Sequence, residues 1–267
     1  MATSKAYLGN INIEEFFQGN DDIYIYLGNE LIYPINSPQP QTVGYVGTYS
    51  DSTQKTLYCE DLNGTLTSGD TDSISGLTDV DIRGCITTID AGTFRDATSL
   101  SGVTLSSGLV TIDTNAFRSC SALTSINIPD TVETFGESAF KQTSLQSVVI
   151  PSAMTVIGRS AFGHTPLTSV TIHEGVTEIG RQAFDVRDTF IDSLEHIVLP
   201  STIITIGQDA FYGRIFQSFT CLATTPPSLS SPIDSEVIYV PSESVELYKA
   251  ASFWRVYASK IQALPTE

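Results

Sequence analysis

The feature that most narrows what this chain can become is a pair of residue types held at one distance six times over. Leu77, Leu100, Leu123, Leu145, Leu167 and Leu194 are each followed 17 residues later by a phenylalanine: Phe94, Phe117, Phe140, Phe162, Phe184 and Phe211. Between them the apolar positions repeat too. Three residues after each Leu stands Val80, Val103, Ile126, Val148, Val170 or Ile197, and two further on Ile82, Leu105, Ile128, Ile150, Ile172 or Leu199. That alternation predicts a short half-buried strand. Ile86, Leu109, Val132, Met154, Val176 and Ile203 follow, then Ile89, Ile112, Phe135, Ile157, Ile179 and Ile206, which predicts a second inward-facing segment. A unit this short cannot bury its own apolar stripe, so it must stack on the next unit, which defines a solenoid.

Two details fix the corner of each unit. The second segment ends in Gly136, Gly158, Gly180 or Gly207 in the later four repeats, where the absence of a side chain predicts a positive-φ turn. Directly before the Phe stands Ala116, Ala139, Ala161, Ala183 or Ala210, with Thr93 as the exception, so a small residue beside a large one packs a tight corner. From each Phe to the next Leu the gaps are 6, 6, 5, 5 and 10 residues. The variation therefore lies in one surface connection, with an insertion at Asp185 to Ser193.

Segments such as LTSINIPDTVETFGESAF, LQSVVIPSAMTVIGRSAF and LTSVTIHEGVTEIGRQAF resemble the BspA-type leucine-rich-repeat family, whose repeat reads roughly LxxIxIPxxVxxIGxxAF. The first two repeats depart from it, with Asp90 and Asp113 where Gly is usual and no Pro after the strand. The resemblance implies a mainly β solenoid of about six coils that binds proteins or glycans and carries no catalytic residues. It covers residues 77–216, with residues 217–267 expected as a C-terminal cap.

In that cap, Val237 to Val240 read as a final strand stopped by Pro241, with Ser242 and Glu243 opening a short helix through a hydroxyl that accepts orphan amides and a favourable dipole contact. Trp254 and Tyr257 either pack back on the core or form an aromatic sugar platform. At the other end, Gly9-Asn10, Gly19-Asn20 and Gly28-Asn29 are spaced like the turns of antiparallel strands. Residues 1–33 thus hold a small meander of three or four strands, too small to stand without a partner surface. Its apolar and aromatic residues Ile11, Phe16, Phe17, Ile23, Tyr24 and Tyr26 are expected to be covered by a neighbour. The phrases AYLGNINI and IYIYLGNELIYP resemble YLG-type β repeats of bacteriophage structural proteins. Residues 34–76 then supply a stiff linker at Pro34, Pro38 and Pro40 and strand-like VGYVGTY and TLYCEDL, which would cap the first repeat.

Charge excludes whole classes of partner. Only 13 Lys and Arg stand against 30 Asp and Glu in 267 residues, a net charge of −17, and neither nucleic acid nor an anionic membrane surface is tracked by so few bases. The start MATSKAYLGNINIEEFF lacks an apolar stretch, so neither a signal peptide nor membrane insertion is expected. The four cysteines, Cys59, Cys85, Cys120 and Cys221, form no CxxC, and in a chain this long they read as buried free thiols rather than a disulfide framework. His164, His173 and His196 fall at different repeat offsets, so they cannot line up on one face and read as surface residues. Asp70, Asp72 and Ser73 in SGDTDSISG hint at a calcium loop, but its glycine is one place late and its final acid absent, which favours a solvated turn. No catalytic motif appears, and no cofactor or metal is expected.

What remains as a functional surface is the outward side of the first strand: Asp79 and Asp81, Gly102 and Thr104, Ser125 and Asn127, Ser147 and Val149, Ser169 and Thr171, His196 and Val198. Ser125, Asn127, Ser147, Ser169, Thr171 and His196 offer hydroxyls, amides and a ring nitrogen to a glycan or protein; the alternative is a solvated sheet face without a ligand. The expectation is a non-enzymatic attachment protein of a phage particle, assembling with other virion proteins or with itself, as a homotrimer by fibre symmetry, through its first 33 residues. The alternative is a secreted or cell-surface bacterial adhesin.

Overall fold

The computed structural model describes residues 6–8, 11–13, 15–19, 22–27, 30–34, 43–71, 74–186 and 194–265. The chain divides into two compact units, Met1–Gln41 and Thr42–Glu267. In the first, Ala6–Leu8 pairs antiparallel with Ile11–Ile13, and Glu15–Gly19, Asp22–Leu27 and Glu30–Pro34 form an antiparallel meander. The described residues there hold five strands where three or four are expected. Pro34 closes the last of them opposite Tyr24 instead of opening a linker, which an edge strand tolerates because the missing N–H is not needed there. The side chains of Ile11, Phe16, Phe17, Ile23, Tyr24 and Tyr26 lie outside the described residues, as do Pro38 and Pro40.

The second unit is a β-solenoid of about eight turns. Each turn contributes a two-residue step to an inner parallel ladder that is interrupted once, between Phe135 and Val156: Thr65–Leu66, Thr88–Ile89, Thr111–Ile112 and Thr134–Phe135, then Val156–Ile157, Glu178–Ile179, Thr205–Ile206 and Ser228–Leu229. The apolar member of each step points inward. Leu66, Ile89, Ile112, Ile157, Ile179 and Ile206 are all buried. Opposite this ladder run the longer strands that carry the Leu-x-x-Val/Ile pattern. They form three successive sheets rather than one continuous ladder, because residues 123–128 make no ladder pairing and the Ser169–Ile172 strand does not pair with His196–Leu199.

The repeated phenylalanines form a column. Phe94, Phe117, Phe140, Phe162, Phe184 and Phe211 are buried, with successive ring centroids 5.1, 5.4, 5.4, 5.5 and 5.6 Å apart and nearly parallel planes. Their backbones are held by one recurring bond. The Phe N–H donates to the alanine carbonyl of the following turn: Phe94 to Ala116, Phe117 to Ala139, Phe140 to Ala161, Phe162 to Ala183 and Phe184 to Ala210, all at 2.8 to 2.9 Å. A side chain larger than methyl before the Phe would hold that neighbour away. Thr93 fits by donating its own hydroxyl to Asp90 O and Leu66 O at 2.8 and 3.1 Å.

The glycines that end the second segment do a different task from the one expected. None of Gly136, Gly158, Gly180 and Gly207 has positive φ. They are there because the coils touch: a Cβ at Gly158 would stand 2.6 Å from Phe135 O, and one at Gly207 would stand 2.7 Å from Arg181 N. The left-handed residue comes two places later, at Asn115, Ser138, Ser160, Gln182 and Asp209, with Gly92 in the first repeat. A second left-handed position follows the Phe by two, at Asp96, Ser119, Gln142, His164 and Gly213. Short polar side chains bear this conformation best, and the turns are lined with them.

Both ends of the stack are closed. Val43–Tyr49 runs antiparallel to Leu77–Ile82 and hairpins into Gln54–Tyr58, so the parallel stack ends on a reversed strand. The TLYCEDL segment is strand only to Tyr58; Cys59–Leu62 is a helical turn ended by left-handed Asn63. The reading of all four cysteines as free thiols is corrected here: Cys59 and Cys85 form a disulfide that ties this cap to the first repeat. Cys120 and Cys221 are free and buried.

At the far end the ladder runs on past Phe216, with Ile215–Cys221 and Asp234–Val240 stacked in parallel. Asp234–Val240 is not the final strand, since Ile261–Ala263 adds outside it. The helix follows Pro241 as expected, a 3-10 turn at Ser242–Ser244 leading into Val245–Ala250, but Ser242 does not cap it. Its hydroxyl meets Glu243, and Ser244 at the N-cap donates its own to Thr224 O at 2.8 Å instead. Trp254 is buried with its indole N–H on Pro227 O at 2.8 Å, which removes it as a sugar platform. Tyr257 accepts the Ile233 N–H at 2.8 Å.

Candidate functional site

The strand pattern dictates that residues two and four after each leucine point away from the core, and the structure places them so. Ser125, Asn127, Ser147, Ser169, Thr171 and His196 are all exposed. Parallel pairing sets them in rows: Ser147 opposite Ser169, Val149 opposite Thr171, and His196 opposite Ser218. Ser125 and Asn127 lie in the stretch without ladder pairing, so they belong to the same side of the solenoid but not to a sheet. The row of hydroxyls ends in a contact, His196 Nδ1 to Ser218 Oγ at 2.8 Å.

Ser218, half-exposed, extends the row beyond the six repeats recognised in the sequence, whereas Thr220, two places on, is buried. Ser218 went unseen because the seventh turn opens with Phe216 in place of leucine. The spacing of 22 from His196 to Ser218 was the available signal.

At the N-terminal end of the same side, Asp79 lies over side-chain-free Gly102, and Asp81 accepts Arg83 Nε at 2.9 Å. Thr48, Gln54, Thr56 and Thr104 complete a polar groove of about 390 Å³ there. Its components can donate and accept hydrogen bonds, which suits a hydroxylated or peptide ligand. Two exposed valines, Val149 and Val198, give the middle of the face small apolar steps between the hydroxyls.

Adjacent turns are clamped at the loop rim by carboxylates that accept backbone amides. Glu174 receives the Ser201 N–H at 3.0 Å and its hydroxyl at 2.9 Å, and these bonds hold the Glu174 carboxyl below its usual pKa. Asp130 receives the Ser152 N–H at 3.2 Å in the same manner. These bonds tie neighbouring turns together beside the face.

The remaining candidates separate from this face. His173 is exposed, but His164 is not the surface residue expected: it is largely covered, sits at a left-handed corner and has Nε2 3.9 Å from Oδ1 of buried Asp185. Asp70 accepts the Thr67 amide and hydroxyl at 2.7 and 2.6 Å, closing a turn, while Asp72 and Ser73 lie outside the described residues. So do residues 187–193, most of the expected insertion. Among the described residues no group of three His, Cys, Asp or Glu could hold a metal, and no helix is long and apolar enough to cross a membrane.

A family model described as BspA type leucine rich repeat region matches residues 72–191 and 187–231, in six copies. Among solved structures, a leucine-rich repeat protein from Bacteroides ovatus is 18% identical, the alignment covering 93% of this chain and 76% of that one with a TM-score of 0.43. A leucine rich cell surface protein from Faecalibacterium prausnitzii is 15% identical, with 86% and 71% covered and a TM-score of 0.45. The pneumococcal vaccine antigen PcpA is 17% identical over 72% of this chain and 68% of its own, with a TM-score of 0.29. No curated protein matches the sequence.

Proposed function

Because this chain belongs to the BspA-type leucine rich repeat family, we propose that it is a non-enzymatic attachment protein whose exposed strand face binds a protein or glycan. The observation that carries this reading is the rows of outward hydroxyls held in register from Ser147 to Ser169 and from His196 to Ser218. Rigid rows of small polar groups spend little conformational entropy on binding, so each hydrogen bond contributes more fully to affinity. In this reading the solenoid is the presenting element, and the N-terminal unit is the anchor.

The placement we propose is outside the reducing cytosol, since a structural disulfide such as Cys59–Cys85 persists on secreted, virion or cell surfaces. The resemblance of AYLGNINI and IYIYLGNELIYP to phage structural repeats supports a virion component. The disulfide favours the second reading, a bacterial cell-surface adhesin, because an exported chain passes through an oxidising compartment whereas virion proteins assemble in the cytosol. An antiserum against residues 42–267 separates them: it labels purified particles in the first case and intact cells in the second.

The attachment claim is tested with fluorescently labelled full chain on a panel of bacterial and epithelial cells, read by flow cytometry. Saturable binding that falls at least tenfold in a Ser147→Glu, Ser169→Glu, Thr171→Glu triple variant supports the strand face. Binding that the triple variant retains in full overturns the face, and absence of binding to any cell overturns attachment.

A further inference from the structure

The aromatic side chain that meets solvent at the C-terminal cap is neither Trp254 nor Tyr257 but their neighbour Phe253, 64% exposed and held at φ +68°. A bulky aromatic residue in the left-handed region is strained, and such strain persists where the surrounding structure imposes it and where function uses it. The ring stands between two clefts. One, of about 570 Å³, lies between residues 226–230 and residues 251–254; the other, of about 290 Å³, continues past Phe253 to Val256 and Tyr257.

The larger cleft is a built groove. Its two walls come from different elements, the loop around Pro227 and the segment after the Val245–Ala250 helix. The Trp254 indole N–H joins them by its bond to Pro227 O, and the helix itself is pinned by Tyr248 Oη donating to Ala223 O at 2.8 Å. No residue lining it is charged, in a chain of net charge −17. The exposed lining is Phe253 with Ser228, Ser230 and Ser252, beside half-buried Pro226, and the Ser228 hydroxyl also lies 3.2 Å from Thr205 Oγ1.

An apolar ring face beside three hydroxyls, with no charge of either sign, matches a neutral sugar, which has a C–H face to lay on an aromatic ring and hydroxyls at its edge. We propose that this groove binds a neutral carbohydrate, one sugar ring stacking on Phe253 while its hydroxyls meet Ser228, Ser230 and Ser252. An anionic glycan finds no cation there and meets the overall negative field of the chain. This surface is distinct from the strand face, so the two assignments stand or fall separately.

The probe is a printed glycan array carrying neutral hexose and N-acetylhexosamine glycans alongside sialylated and sulfated ones, read with the full chain and variants. The expected result is binding to one class of neutral glycan, reduced at least tenfold in Phe253→Ala and Phe253→Gly and retained in Phe253→Trp. Phe253→Gly also relieves the left-handed backbone, so its melting temperature should equal or exceed that of the parent chain, which a purely structural role for the ring would not allow. Absence of neutral-glycan binding overturns the proposal. So does neutral-glycan binding that survives Phe253→Ala but is lost in the Ser147, Ser169, Thr171 triple variant, an outcome that leaves the strand-face reading intact.

Discussion

At the scale of single residues the stack is governed by which side chains meet the next turn. Phe162 lies in the ring column with neighbours on both sides, 5.4 Å from Phe140 and 5.5 Å from Phe184. Phe162→Ala should lower stability by about 3 to 5 kcal/mol, because the cavity it leaves between turns cannot collapse. Ser147→Ala, on the exposed face, should cost under about 0.5 kcal/mol. Urea denaturation of both variants checks the contrast, and equal losses would contradict the register. The phenylalanines and the alanines before them were readable from spacing alone, because one side chain must recur wherever the same contact recurs. The role of the glycines was not, since a missing side chain looks alike in sequence whether it permits a left-handed turn or a close approach. Two substitutions distinguish these. Gly158→Ala forces a Cβ against Phe135 O and should cost about 1 to 3 kcal/mol. Ser138→Gly, at the left-handed position, should change stability by under about 1 kcal/mol.

At the scale of elements, stability passes between neighbouring turns and little further. The Cys59–Cys85 disulfide closes a loop of 26 residues between the N-terminal cap and the first repeat. Cys59→Ser with Cys85→Ser should cost about 2 to 4 kcal/mol. Amide exchange should rise across residues 43–100 and stay unchanged around the Phe184 turn; a uniform rise would mean that the stack unfolds as one body. This bridge escaped the sequence reading because its partners belong to an irregular cap, where no period constrains which residues meet. The same holds for the Ile261–Ala263 strand, which repeats nothing. The remaining thiols are of another kind. Cys120 donates to Phe94 O at 3.2 Å, and burial pushes its pKa from 9.0 up to about 12. A raised thiol pKa means that its contribution to stability is complete below pH 9.0 and is lost progressively as pH rises from there towards 12. The native chain should accordingly resist alkylation at Cys120 at pH 8, while the unfolded chain reacts; rapid native modification would contradict the burial.

At the scale of the whole molecule the chain falls into two compact units, and the proposed function assigns presentation of a surface to the solenoid and anchoring to the N-terminal unit. The solenoid and its outward face could be foreseen because periodicity states the core and its opposite together. The extension of the rows through Ser218, and the groove at Phe253, could not, because both depend on turns whose residues have left the repeat pattern. Among the described residues the N-terminal unit holds a two-stranded and a three-stranded sheet, each too small to be stable without a further partner surface. The division of labour is tested most directly by light scattering on the full chain and on a chain beginning at Thr42. The account predicts a defined oligomer for the full chain and a monomer for the shortened one, with the far-ultraviolet signature of the solenoid retained in both. Equal monomeric masses for the two would contradict assembly through the N-terminal unit.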